Sequence, residues 1–266
     1  FILVLRKFIN YRAFMIEFLK LINFLRTKMN IFNTHKTNEN LKSLIVVVST
    51  DKWLCGSMNS KIFKHIFQKY WDKKDKTDIF CVWKKWFEFL TRLWFSIKWY
   101  IGLKDSFVED DFNDLYSFIM DSIDSNKYSE IKIYFNFYKN TITQVPLRFK
   151  LFPIDQDTFD KFVENIGLNL DEIFTTELGY KDLIIEPDEK SFKRDILRQL
   201  TQHMIYGAVL LNKAWEFSSR MIAMESANDN ASSLIKALSL KYNKVRQFVI
   251  TQEVSEIIAA KMAIWE

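Results

Sequence analysis

Residues 218–259 read SSRMIAMESANDNASSLIKALSLKYNKVRQFVITQEVSEIIA, with neither glycine nor proline in the stretch. Its apolar side chains recur at intervals of three and four, at Ala227, Ala231, Leu234, Leu238, Tyr242, Val245 and Val249, which marks one stripe of an α-helix. Upstream of it, Pro187 is the last proline and Gly207 the one later glycine, so the spacing predicts a single helix from about 190 to about 263. At about 1.5 Å per residue it would extend roughly 110 Å. A lone amphipathic helix cannot bury its stripe in water, so a partner helix is required.

The front of the chain supplies a candidate. Residues 3–30 place Phe8, Ile9, Tyr11, Phe14, Met15, Phe18, Leu19, Ile22 and Leu25 at helical intervals, and NTHKTNEN at 33–40 reads as a loop. SLIVVVST at 43–50 is a buried strand, followed by a turn and a helix with Ser57 or Asn59 as its cap. DIFCVW at 78–83 is a second strand, followed by helical periodicity through Phe87, Leu90, Leu93 and Trp94. The acidic segment 105–125 predicts a helix with Phe107, Phe112, Leu115, Ile119 and Ile123 on one side. IKIYFNFY at 131–138 and TITQVPLRFKLFPI at 141–154 are two more strands, the last near an edge because Pro146 cannot donate to a ladder.

The expected class is therefore α/β: a small, mostly parallel, Rossmann-like domain joined to a long antiparallel coiled coil of the terminal helices. The boundaries fall at 1–40 (amino-terminal helix and loop), 41–187 (α/β foot) and 188–266 (carboxyl-terminal helix).

Composition agrees. With 48% hydrophobic residues, 5 Gly and 3 Pro, wholesale disorder is excluded and a turn-rich sandwich or barrel is disfavoured. Charges interrupt every apolar run before the roughly 18 residues a membrane span needs. Cys55 and Cys81 cannot form a disulfide framework, and with His35, His65 and His203 they show no metal spacing. No Gly-rich phosphate loop or paired-carboxylate motif occurs, so the chain is expected to bind no cofactor, nucleotide or metal. A small enzyme built around Asp51 and Cys55 is a weak rival, because no His lies near Cys55 in sequence. The chain begins with Phe1 rather than Met, which suggests a fragment.

Charge is uneven: 20 basic and 7 acidic residues in 1–104, 7 and 19 in 105–189, and 11 and 7 in 190–266, giving net +13, −12 and +4. Such a front could contact nucleic acid or anionic lipid, but pairing within the fold is the commoner outcome.

Residues 218–259 resemble the terminal helix of the gamma subunit of F-type ATP synthases. The family pattern there, A-R-M-x-A-M-x-x-A-x-x-N-A followed by L-x-x-x-Y-N-x-x-R-Q-x-x-I-T-x-E-x-x-E-I, is met by Arg220, Met221, Ala223, Met224, Ala227, Asn230, Ala231, Tyr242, Asn243, Arg246, Gln247, Ile250, Thr251, Glu253, Glu256 and Ile257. STDKWLCGSMNSKIF at 49–63 resembles the family's S-D-x-G-L-C-G-x-x-N. The likeness spans about 43–264 and is loose between 87 and 190. Nothing matches the family's basic, Ala/Met-rich opening segment, and residues 1–30 resemble the later part of that amino-terminal helix.

Trp53, Trp83 and Trp86 stand where the family has Gly, which predicts UGA codons read as Trp here but as Gly in the source; UGG codons there would exclude this.

The resemblance implies a non-catalytic central-stalk rotor that couples transmembrane proton flow to ATP synthesis. Its implied partners are the alpha and beta subunits, the epsilon (or delta-equivalent) stalk subunit and the membrane c-ring, with no nucleic acid. Its implied place is peripheral on the inner face of an energy-coupling membrane, the bacterial plasma membrane ahead of the mitochondrial inner membrane. Arg246, Gln247, Thr251 and Glu253 are expected to grip a loop of one beta subunit, with Arg220 also serving coupling. Alternatives are a degenerate gamma-like paralogue or a basic helical protein that binds nucleic acid or membrane. Met221, Met224 and both cysteines read as packing residues.

Overall fold

The computed structural model describes residues 2–29, 31–32, 40–50, 58–93, 95–102, 109–138, 144–165 and 184–265. The elements are α1 (Ile2–Met29), β1 (Ser43–Val48), α2 (Met58–Tyr70), β2 (Thr77–Val82), α3 (Lys84–Arg92), β3 (Ser96–Ile101), α4 (Asn113–Asp124), β4 (Glu130–Tyr138), β5 (Gln144–Phe152), α5 (Gln156–Asn165) and α6 (Glu189–Trp265). Short 3-10 turns cover Trp71–Lys76 and Glu109–Phe112. By contacts the chain divides into two units, Phe1–Ser219 and Arg220–Glu266.

Five strands form one sheet in the order β3-β2-β1-β4-β5. The first four are parallel, and β5 returns antiparallel at the edge with Pro146 opposite Asn136. Side chains of β1 alternate between two cores, as the period of a strand demands. Leu44, Val46 and Val48 join the larger core, under α1, α4, α5 and α6. Ile45 and Val47 join the smaller one with Ile62 and Ile66 of α2 and Leu90 of α3.

The edge strand β3 corrects the sequence reading, which carried helical periodicity to Trp94 and placed nothing at 96–101. In this strand Lys98, Trp99 and Tyr100 are exposed, so it lacks the unbroken apolar run that marked β1 and β2. Asn59 is a second correction. Rather than capping α2, its carboxamide Nδ2 donates to Thr50 O at 2.9 Å and its Oδ1 accepts from Thr50 N at 3.3 Å, bracing the end of β1. Ser57, Phe107 and most of the 33–40 loop lie outside the described residues, as do Asp51, Trp53 and Cys55.

Buried residues of α1 step as Val4, Tyr11, Met15, Phe18, Ile22 and Leu25, a near-heptad seam. That seam packs antiparallel on the first part of α6. Tyr11 donates to His203 O at 2.6 Å, whereas Ile31 shares a cavity wall with Leu197. Gly207 permits the approach, because a Cβ there would run into the Tyr11 hydroxyl. Helix α6 starts just beyond Pro187, where Asp188 Oδ1 accepts from Lys190 N at 2.9 Å and Ser191 N at 3.0 Å.

Candidate functional site

Arg246, Gln247, Thr251 and Glu253 fall within two turns of α6 and are all exposed. At about 100° per residue, Arg246 and Glu253 share one line along the helix and Gln247 and Thr251 another, the second lying roughly opposite the Ala227–Val249 stripe. Thr251 Oγ1 donates back to Gln247 O at 2.8 Å and Ser255 Oγ to Thr251 O at 2.8 Å, so these hydroxyls are held on the helix. No ion pair ties Arg246 or Glu253 to another described residue, which leaves a guanidinium, a carboxamide and a carboxylate facing outward. Arg220 is half-exposed and lies 26 residues earlier on the helix, too far to join this group. The stripe itself is uncovered in the single chain: Leu234 is 60% and Tyr242 66% exposed. Met221 and Met224 are exposed as well, contrary to a packing role within this chain.

A second constellation, which the sequence did not announce, lies where α6 crosses the carboxyl ends of the strands. In open α/β sheets ligands take the crevice where the strand order reverses. Here that point lies between β1 and β4, and Asn212 occupies it. Its Nδ2 donates to Ser49 O at 2.9 Å and its Oδ1 accepts from Asn136 N at 3.3 Å, so one carboxamide bridges the two strands. One residue on, Lys213 Nζ meets Glu216 Oε2 at 2.9 Å, with both side chains almost fully buried. The Trp83 ring lies 5.0 Å and the Phe217 ring 5.6 Å from that ammonium. The local signal was polar residues, N-K-x-x-E, inside an otherwise apolar run of α6; without the strand order it pointed nowhere.

Trp83 reaches this place through a backbone that suits glycine, with φ 107° and ψ 137°. Trp86 lies inside α3 and is not among the positive-φ residues, so the tight-turn argument for glycine does not extend to it.

Cys81 is buried in β2, and burial pushes its thiol up to about 12, which suits packing and not nucleophilic work. His203 is lowered by burial against α1. Among the described residues no cluster of His, Cys, Asp or Glu could hold a metal ion, and no helix is long and apolar enough to cross a membrane.

Comparison with known proteins supplies independent findings. A family profile described as ATP synthase matches residues 5–264. The ATP synthase gamma chain of Ruthia magnifica subsp. Calyptogena magnifica is 33% identical over 224 residues, covering 83% of this chain and 73% of that protein. The ATP synthase gamma chain of Legionella pneumophila (strain Corby) is 34% identical over the same length and shares. Among solved structures, a chain of the Euglena gracilis mitochondrial ATP synthase (OSCP/F1/c-ring, rotational state 3) superposes with a TM-score of 0.59 at 18% identity, over 98% of this chain and 93% of that one.

Proposed function

The chain belongs to the family of ATP synthase gamma chains, the central-stalk rotor of the F-type enzyme, and from that membership we propose that residues 246–253 form its releasable grip on the catalytic ring. The carrying observation is that all four polar residues project from two exposed turns of α6, Gln247 and Thr251 opposite its apolar stripe and Arg246 and Glu253 flanking it. A contact of this kind couples rotation to chemistry only through its differential free energy with open and closed nucleotide sites. Arg and Gln supply several donors for carboxylate or backbone partners, strong enough to bias a site and polar enough to let go.

In this reading the subunit is itself non-catalytic. It works against alpha and beta subunits, is joined at its foot by an epsilon-type subunit and the c-ring, and sits peripherally on the inner face of the coupling membrane. Residues 41–187 serve as the foot and 188–266 as the shaft, with Arg220 a second coupling position. The bacterial relatives support a plasma-membrane setting. The nucleic-acid reading of the basic front has no support from a profile that matches residues 5–264.

The test is to reconstitute the rotary complex with Arg246→Ala or Gln247→Ala. Assembly and unstimulated hydrolysis should persist while ATP-driven rotation falls roughly tenfold, as expected for about 1.4 kcal/mol of lost bias. Failure to assemble, with no separate rotational defect, would refute the grip.

A further inference from the structure

Helix α2 and the 3-10 turn after it carry Lys61, Lys64, Lys69, Lys73, Lys74 and Lys76 against only Asp72 and Asp75. None of these lysines forms an ion pair with another described residue, so the local excess is not neutralised within the described fold.

Lys64 and the lysines of the turn border an ordered row of aromatic rings, whereas Lys69 lies on the other flank of α2, toward Arg148. Ring centroids are 4.7 Å apart for Phe89 and Phe63, 5.7 Å for Phe63 and Phe67, and 4.3 Å for Phe67 and Trp71. Lys74 Nζ lies 4.9 Å from the Trp71 ring. The inner line of α2, Ile62, Ile66 and Tyr70, is already buried against the sheet, so this row lies to its side. Its two ends remain open, Phe89 at 43% and Trp71 at 41% exposure. Packed aromatics with cations at the margin are the composition of an interface core and rim.

We propose that this face of α2, its 3-10 turn and Phe89 docks an acidic protein segment bearing apolar side chains, carried by a neighbouring subunit of the complex. The inference rests on the rotor reading only in placing the partner inside that complex. The row from residue 63 to 71 is about 12 Å long at about 1.5 Å per residue, the length of two turns of a partner helix or a short strand. Asp72 and Asp75 among the lysines favour a protein over a bilayer, because alternating charge fixes the register of a partner but weakens attraction to a uniformly anionic surface.

The experiment is zero-length carboxyl–amine crosslinking of the intact complex with a carbodiimide, read by mass spectrometry. Links from Lys61, Lys64 or Lys73 should converge on Asp or Glu residues of one other subunit. Their yield should fall at least tenfold in a Trp71→Asp/Phe89→Asp variant. Lys64→Glu/Lys73→Glu, which changes only exposed positions, should do the same and guards against a folding failure of the first variant. Links confined to this chain, or yields indifferent to both variants, would overturn the proposal. So would binding of the chain to phosphatidylglycerol-containing vesicles that both variants abolish, with no inter-subunit links, since the face would then belong to a membrane. These readouts are separate from the rotation assay, so the Arg246 grip can stand while this inference fails.

Discussion

Trp83 holds an indole in a backbone conformation that glycine adopts freely and side chains avoid, at a strain of about 1–3 kcal/mol. The ring is buried and covers Lys213, yet its Nε1 has no hydrogen-bond partner among the described residues. Replacing it discards packing in every case, so the informative comparison is between two truncations. Trp83→Gly relieves the strain and Trp83→Ala keeps it. The glycine variant should therefore be more stable than the alanine variant by about 1–3 kcal/mol, despite the greater chain entropy of glycine when unfolded. Matched urea titrations read this directly, and equal midpoints would mean that the turn tolerates a Cβ. The glycine expected from family resemblance at this position thus has a physical reason in the turn itself. At Trp86, within α3, no such reason exists.

Helix ends show how local chemistry fixes elements. Asp155 Oδ1 accepts from Thr158 N at 2.8 Å and its Oδ2 pairs with Lys150 at 3.0 Å, so one carboxylate caps α5 and ties it to β5. Burial raises the Asp155 carboxyl, but the Thr158 hydrogen bonds and Lys150 together outweigh it and bring it down to about 2. Because the folded value is depressed, the stabilisation is present above the unfolded value of 3.8 and is lost as pH falls toward about 2. Asp155→Ala should cost about 1 kcal/mol at neutral pH, and its gap from the parent should close across that acid window. A gap independent of pH would show that the cap is not ionic. Strands β1 and β2 were readable in the chain from their β-branched runs, whereas α5 and its Asp155 cap were not read from it. Nor was edge strand β3, because half of its surface faces water and Lys98 breaks its apolar pattern.

At the scale of the first unit, the sheet is clamped to α6 by Asn212 between β1 and β4 and by the buried Lys213–Glu216 pair beside it. Such a pair is costly to break and cheap to replace as a whole. Lys213→Met alone should destabilise by about 3–5 kcal/mol, because it removes the ammonium from a buried carboxylate. Lys213→Met/Glu216→Leu should recover most of that loss in chemical denaturation. If the double variant is no better than the single, the ammonium acts through Trp83 and Phe217 and not through Glu216. A sheet that would otherwise offer a ligand crevice at its switch point has it filled by the chain's own helix.

The sequence by itself determined the class of this protein. Long apolar periodicity free of proline, with Gly207 the one glycine in α6, makes α1 and α6, β-branched runs make the buried strands, and the R-Q-x-x-I-T-x-E spacing puts four polar groups on two lines of one helix whatever surrounds it. These are properties of neighbours along the chain, set by periods of 3.6 and 2 residues. Tertiary structure alone decided that Asn212 meets Ser49 and Asn136, 163 and 76 residues away in sequence. It alone brought Phe89 of α3 against the Phe63 end of the row on α2 and gave Trp83 its positive φ. Each of these depends on strand order or on a crossing helix, and side-chain chemistry carries no record of which distant segment will arrive.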